Sequence, residues 1–308
     1  MKIVVMGAGG VGGYFGARLA AAGHEVGFVA RGRHLDAIRR SGLRVLSQHG
    51  DIHLDAAEAS DQPGAFGVAD FVLFTVKAHD CAQAADAIAP VLGPDTGVVP
   101  LLNGIEHITL LQQQLGAGHV LGGVANISAL IERPGVIRHF DRLHILRVGE
   151  MDDRQSERVA TFRAACTDAG FDSPVPGSIE RELWQKMVMI CTLAGANCLT
   201  RLALGPCRST PATRALMEDL VTETIAVARG HGVDLPQDQA ERSLALLDTL
   251  PAEMKASMLA ALERGERLEV SALNGAVVRL GQACGMPAPT HRVVQAAMAP
   301  HESGTPRE

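Results

Sequence analysis

Residues 1–31 read MKIVVMGAGGVGGYFGARLAAAGHEVGFVAR, and this stretch decides the fold. Lys2-Ile3-Val4-Val5-Met6 is a short apolar run that stops at a glycine, the pattern of a buried parallel strand. Gly7-Ala8-Gly9-Gly10-Val11-Gly12 follows at once and spells GxGxxG. Tyr14 to Ala22 is rich in Ala and Leu and reads as helix, with Gly23 as its stop. Glu25 to Val29 is the next apolar run. A GxGxxG is often no more than a flexible turn. Set between two strands and opening a helix, it is a dinucleotide fingerprint. The glycines permit a tight turn and close approach of the backbone to a pyrophosphate, and the helix N-terminus faces that charge. Gly7, Ala8, Gly9, Gly10, Val11 and Gly12 are the candidate phosphate-binding residues.

The second strand runs out into Ala30-Arg31-Gly32-Arg33. A site for NAD usually places an acidic residue there to bond the ribose 2′-hydroxyl, and this chain has none. A guanidinium at that strand end suits a 2′-phosphate instead. The alternative is a solvated basic loop. The reading is NADP(H), with Arg31 as the cofactor-binding residue.

The 308 residues suggest two domains or one large one. With 47% hydrophobic and 20% charged residues, the chain has enough apolar surface for a real core. A net charge of −6 and 3% aromatics argue against nucleic-acid binding, which wants a basic face and stacking rings. No apolar run approaches the roughly 18 residues needed to cross a bilayer, and the N-terminus reads as strand rather than signal peptide. The six cysteines are scattered without a CxxC pair and read as reduced core residues of a cytoplasmic protein. No metal site is expected: His49 and His53 are four apart, but Gly50-Asp51 between them reads as a turn.

Further along, Arg33–Arg40 reads as a short helix, and residues 43–54 as a pair of short strands. Asp70–Lys77 is a second buried strand with Lys77 at its C-terminal end. Cys81–Leu92 is helical, and Gly97–Gly104 is another buried strand ending in Asn103-Gly104. Ligands of open α/β sheets lie at such strand ends, which marks Lys77 and Asn103. The ordinary alternatives are a solvated lysine and a simple Asn-Gly turn. Glu106–Leu115 is helical. Val120–Leu130 is apolar up to Ser128, Ile137–Arg147 is mixed and reads as an edge hairpin, and Arg154–Ala169 is a helix. The alternation is that of a doubly wound sheet.

After Pro174 and Pro176 no strand pattern recurs. Helices are expected over 179–201, 213–230, 237–247, 254–264, 268–284 and 291–298, with a loose tail of about eight residues. The fold class is α/β: a Rossmann-type dinucleotide-binding domain over 1–172, a proline-containing joint near 172–177, and an all-helical domain over 173–308.

With both halves read, the sequence resembles the ketopantoate reductase (2-dehydropantoate 2-reductase) family along nearly its whole length. The resemblance rests on the opening GAGGVGGYFGARLAAAGHEVGFVAR, on TVKA around Lys77 and on LLNG around Asn103. In the second half it rests on Trp184-Gln185-Lys186, Ser257-Met258, the run Leu262-Glu263-Arg264-Gly265 leading into Leu268-Glu269-Val270, and Asn274-Gly275. It implies NADPH-dependent reduction of a 2-keto acid to a 2-hydroxy acid, most readily 2-dehydropantoate to pantoate on the way to pantothenate and coenzyme A. It implies a cytoplasmic homodimer acting on a small keto acid.

By the same resemblance Lys186 is the proton donor. Chemically an ammonium suits the role, since it stabilises the charge left on a ketone oxygen and then gives up a proton, provided burial lowers a pKa of about 10.4. Taken without its flanking motif, Lys186 would read as a snorkelling helix lysine. Lys77, Asn103 and Ser128 match cofactor contacts, Ser257 a substrate contact, and Glu269 a residue touching both cofactor and substrate. Glu269 also reads as a helix-start acid favoured by the helix dipole.

The best-characterised branch of the family carries Asn four and eight residues after its catalytic lysine. Here those positions are Ile190 and Ala194, at 40° and 80° from Lys186 on an ideal helix of about 3.6 residues per turn. Asn197 lies near that face but farther along, and the Asp often found two after the glutamate is Ser271. Ile190 points to a less hydroxylated or bulkier keto acid as the alternative substrate, or to a related β-hydroxyacid oxidoreductase. A cofactor-binding regulator without catalysis is the reading from another class, and Lys186 with Glu269 speaks against it.

Overall fold

The computed structural model describes residues 1–306, which divide by contacts into two compact units. The first comprises Met1–Leu102 and His107–Ile179. It opens with β1 (Lys2–Met6), α1 (Gly10–Ala21), β2 (Glu25–Val29) and α2 (Gly32–Ser41), followed by β3 (Leu43–Leu46), β4 (Ile52–Leu54) and β5 (Glu58–Ser60). Then come β6 (Ala69–Phe74), α3 (Cys81–Ile88), β7 (Leu92–Pro100), α4 (Glu106–Leu115), β8 (Leu121–Arg133), β9 (Val136–Glu150) and α5 (Glu157–Asp168).

Five strands form a parallel sheet in the order β5-β2-β1-β6-β7. The first strand has β2 on one side and β6 on the other, so chain order reverses at β1. Its carboxyl end is the crevice where such sheets hold ligands. α1 can lie close to this sheet because it presents glycine. A Cβ on Gly16 would stand 2.7 Å from both the Phe28 ring and Val5.

The doubly wound alternation stops at β7. β8 and β9 form a hairpin across Gly135, whose φ of +77° favours glycine, and they join a second sheet in the order β4-β3-β9-β8. β9 is therefore not an edge strand: it pairs antiparallel with β8 and parallel with β3. The mix of polar and apolar residues over Ile137–Arg147 suggests an edge hairpin. Two of those polar residues, His139 and His144, are in fact buried. His139 bonds Ser47 and Asp141, and His144 bonds the Tyr14 hydroxyl.

The second unit comprises Asn103–Glu106 and the chain from Glu180 on. It is all helical: α6 (Ile179–Thr200), α7 (Leu204–Ser209), α8 (Pro211–Gly230), α9 (Gln239–Thr249), α10 (Ser257–Glu263), α11 (Asn274–Cys284) and α12 (Pro289–Met298). Its apolar core includes Met187, Val188 and Cys191 of α6 with Leu220 and Val221 of α8. A polar tie runs through it. The Asn274 amide donates to the Cys191 carbonyl (3.2 Å) and to His291 Nδ1 (3.0 Å), while His291 Nε2 meets Thr224 Oγ1 and the Leu220 carbonyl.

Several expectations shift. The division falls between Ile179 and Glu180, later than 172/173. The proline-containing stretch packs on the first unit, where Arg163 donates twice to the Ser173 carbonyl and Ser173 Oγ donates to Leu146. The helix expected over 268–284 begins only at Asn274. Leu273, with ψ −97°, leaves helical geometry, and residues 268–269 lead as irregular chain into a turn over 270–273. α7 was not foreseen, and α10 starts at Ser257 rather than 254. The supposed loose tail is tied down as far as Thr305, whose N–H bonds the Gly265 carbonyl, and the Glu302 carbonyl accepts from Leu268. The rest of that tail, Arg307 and Glu308, lies outside the described residues.

Candidate active site

The first unit builds a cradle out of backbone. Gly7, just past β1, adopts φ +102°, a conformation side chains disfavour. Its carbonyl accepts from Gly9 N–H (2.7 Å) and from the Thr75 hydroxyl (2.7 Å), and Ala8 N–H reaches the Val29 carbonyl (2.8 Å). The loop is thus strapped to the ends of β2 and β6. Gly9 caps α1 with no side chain, and space around its α-carbon is open. The N–H groups of Gly10, Val11 and Gly12 begin the helix, where intrahelical acceptors do not exist and the dipole is positive. On the packed side there is no room. A Cβ on Gly10 would stand 2.1 Å from the Ala129 carbonyl oxygen, and one on Gly12 2.2 Å from Thr75 Oγ1. Open on one face and filled on the other, this loop fits the pyrophosphate of a dinucleotide.

Ser128 sits where β8 slips register between Ile127 and Ala129, beside the carbonyl that presses on Gly10. Arg31 caps α2 in an extended conformation, and it and Arg33 are exposed. Lys77 is also exposed, in the loop after β6. The strand ends at Phe74, so Lys77 caps a short 3₁₀ turn rather than standing on the strand as expected.

One residue of this half escaped the sequence reading. His34 on α2 accepts the Gly135 N–H at Nδ1 (3.0 Å), which places its proton on Nε2, and Nε2 donates to the Ala8 carbonyl of the glycine loop (2.9 Å). Burial, opposed by the Ala8 bond, holds its pKa below the ordinary imidazole value. No spacing rule announces such a residue.

The second unit contributes side chains. Lys186 lies half-buried on α6, between buried Trp184 and Met187. Burial pulls its pKa down to about 8, against the upward pull of the nearby Glu269 carboxylate. Glu269, also half-buried, lies in the turn before α11, so it is not the helix-start acid of the alternative reading. Ser257 opens α10 and is exposed, and the residue before it is fixed: Ala256 N–H donates to Asn197 Oδ1 (2.8 Å). Asn197 is therefore a buried support of the Ser257 segment. Asn103 falls with this unit, whereas Lys77 falls with the first.

The helical-wheel reading of Ala194 is corrected. Ala194 is 2% exposed and belongs to the core, while Ile190 is half-buried. The accessible stripe of α6 runs Lys186, Met189, Ile190, Leu193, at i, i+3, i+4 and i+7. Ala194 lies beyond its edge.

The family model described as ketopantoate reductase PanE/ApbA matches residues 3–153, and its C-terminal companion matches residues 178–302. The chain belongs to the ketopantoate reductase family. It is 33% identical to a 2-dehydropantoate 2-reductase of Mesorhizobium japonicum over 94% of both chains. A crystal structure of a PanE/ApbA family ketopantoate reductase from Ralstonia eutropha JMP134 is 35% identical, with a TM-score of 0.90 over 98% of each chain. A D-mandelate dehydrogenase in complex with NADH and anilino(oxo)acetate shares the fold at 21% identity, with a TM-score of 0.88 over 98% of each chain. The protein is an oxidoreductase of a family that reduces small 2-keto acids with a nicotinamide cofactor. No helix among the described residues is long and apolar enough to cross a membrane.

Proposed function

We propose that this protein reduces a 2-keto acid to the 2-hydroxy acid with NADPH, with 2-dehydropantoate as the leading substrate and Lys186 as the proton donor. The observation that carries the reading is the state of Lys186: a half-buried ammonium whose pKa is brought down to about 8 beside a carboxylate. A lysine so placed is still charged at neutral pH and releases its proton far more readily than one in water.

NADPH, when bound, supplies the hydride to the keto carbon. The N–H groups of Gly10, Val11 and Gly12 hold the pyrophosphate, Arg31 pairs with the 2′-phosphate, and Lys77, Asn103 and Ser128 contact the cofactor. Lys186 Nζ hydrogen-bonds the keto oxygen, stabilises the negative charge that gathers there, and transfers its proton to it. Glu269 keeps that ammonium charged until substrate arrives and touches both ligands. The Ser257 hydroxyl, its segment fixed through Asn197, bonds a polar group of the substrate.

One observation favours a second reading of the substrate. In the two turns after Lys186 the accessible residues of α6 are Met189, Ile190 and Leu193, all apolar. Such a wall suits a branched or aromatic 2-keto acid and offers the hydroxyl of 2-dehydropantoate no partner in these two turns. An unmade bond to a buried hydroxyl costs about 1–3 kcal/mol. The test is steady-state reduction of a panel of 2-keto acids with NADPH. The leading reading expects 2-dehydropantoate to have the highest kcat/KM. A branched or aryl keto acid ahead of it by tenfold establishes the second, and no reduction of any 2-keto acid refutes both.

A further inference from the structure

Asn103-Gly104-Ile105-Glu106 belongs with the helical unit although the chain on either side does not. Gly104, with φ +91°, lies so close to the 270–273 turn that a Cβ would stand 2.6 Å from the Ala272 carbonyl oxygen. Ile105 packs against the helical core. One side chain completes the attachment. Arg279 of α11 donates from Nε to Glu106 Oε1 (3.2 Å) and from Nη2 to Glu106 Oε2 (2.5 Å). The same guanidinium donates from Nη2 to the Ser271 carbonyl (2.8 Å) and from Nη1 to Ser271 Oγ (3.3 Å). All three guanidinium nitrogens are engaged, a use of the planar fork that an ammonium cannot copy. The Glu106 carboxylate holds the Arg279 pKa above its ordinary value.

Glu106 is three residues past Asn103, and Ser271 is two past Glu269. The guanidinium therefore joins the two turns that carry those residues. The ion pair is itself substantially exposed, and exposed pairs contribute little to global stability. Its consequence is geometric. We propose that Arg279 is a positioning residue, whose fork locks the Asn103 turn to the Glu269 turn so that both residues keep one fixed spacing. The inference rests on the proposed roles of Asn103 and Glu269.

The test compares Arg279→Gln, Arg279→Lys, Glu106→Gln and the Arg279→Gln/Glu106→Gln double variant, with Asn103→Ala as reference. Each is measured for melting temperature, NADPH affinity by fluorescence titration, and kcat and KM for the best keto acid. Loosening a reacting group by about an ångström lowers rates by up to roughly a hundredfold. We expect Arg279→Gln and Glu106→Gln each to lower kcat by roughly ten- to a hundredfold, with the double variant no worse than either single. Arg279→Lys should recover only part of the loss, and melting temperatures should stay near wild type. The clamp is overturned if Arg279→Gln keeps wild-type kcat while Asn103→Ala is impaired, or if the single losses multiply in the double variant and follow the melting temperature. An unimpaired Asn103→Ala removes the site reading itself, and the clamp with it.

Discussion

On the proposed reading, the two units solve the problem of binding in opposite ways. The first uses backbone: a left-handed Gly7, a capless helix start at Gly9, and two glycines, Gly10 and Gly12, where a methyl group would strike Ala129 and Thr75. The second uses side chains drawn from scattered places: Lys186 on α6, Ser257 at the start of α10, Glu269 in a turn, and Asn103 from a short loop. A backbone site must be written as one contiguous glycine-rich stretch, because its turn and close packing fall on neighbouring residues such as Gly7, Gly10 and Gly12. A side-chain site needs only the right groups to converge, so its residues lie far apart in the chain. The difference also separates what each half can do. On the proposed reading the first holds phosphate, and the second carries the proton donor, Lys186, with Glu269 near it.

If that division holds, substitutions in the two units fail differently. Lys186→Ala should lower turnover by roughly 10²–10⁴-fold, the usual loss of a general acid, while NADPH titration gives a Kd close to wild type. A Kd that collapses along with the rate would mean that Lys186 serves the cofactor rather than the proton. A variant that keeps most of its rate would move the proton donor elsewhere, and Lys77 would be examined next.

Gly12→Ala should do the reverse. Its methyl group would stand 2.2 Å from Thr75 Oγ1 and 2.5 Å from the Gly7 carbonyl oxygen, so the loop must shift. Overpacking of this kind costs about 1–3 kcal/mol, and if it falls on the binding geometry NADPH affinity drops by roughly ten- to a hundredfold. Calorimetric titration measures this directly. Undiminished affinity would show that the loop does not hold the pyrophosphate.

Arg31→Ala has a smaller and more selective effect. A charged hydrogen bond contributes about 1.5–3 kcal/mol, and exposure of Arg31 places the effect toward the lower end. NADPH should weaken by roughly tenfold while NADH is unchanged, and raised salt should narrow the gap. Equal affinity of the wild type for the two cofactors would remove Arg31 from the site.

The same contrast explains what the sequence made visible. β1 and β2 were legible to the residue, because buried strands need continuous apolar runs, whereas α1 begins a turn earlier than expected, at Gly10 rather than Tyr14, inside the glycine loop. The helical unit was legible as helices, since 3.6-residue periodicity survives without knowledge of the neighbours. Its irregular parts were not. Residues 268–273 carry enough Leu and Val to pass for helix, and only the hydrogen bond of Leu268 to Glu302, the wide one of Gly275 to Val270 and the backbone of Leu273 show that they leave it. The second sheet was missed because its polar residues are buried in pairs that meet only in the fold, as Ser47 meets His139 across 92 positions. Arg279 and Glu106 are 173 apart, and nothing local to either points to the other. Lys186 is singled out in the sequence through its flanking residues. Its lowered pKa has no signature in the chain, because it arises from the packing around α6. Ala194 shows the limit of the wheel: an angle on an ideal helix did not say which side of the stripe would be covered by the core.

The most direct test of Lys186 as the proton donor is the pH dependence of kcat/KM for the best keto acid at saturating NADPH. The proton must be on Nζ for reduction, and burial has lowered the pKa to about 8. The rate should therefore be level below that value and fall about tenfold per unit above it, well before an ordinary lysine would titrate. In Lys186→Arg, whose charge does not titrate in this range, the residual rate should be low and this inflection absent. A wild-type rate that stays level up to the pKa of a free lysine, or an inflection that survives in Lys186→Arg, would contradict the account.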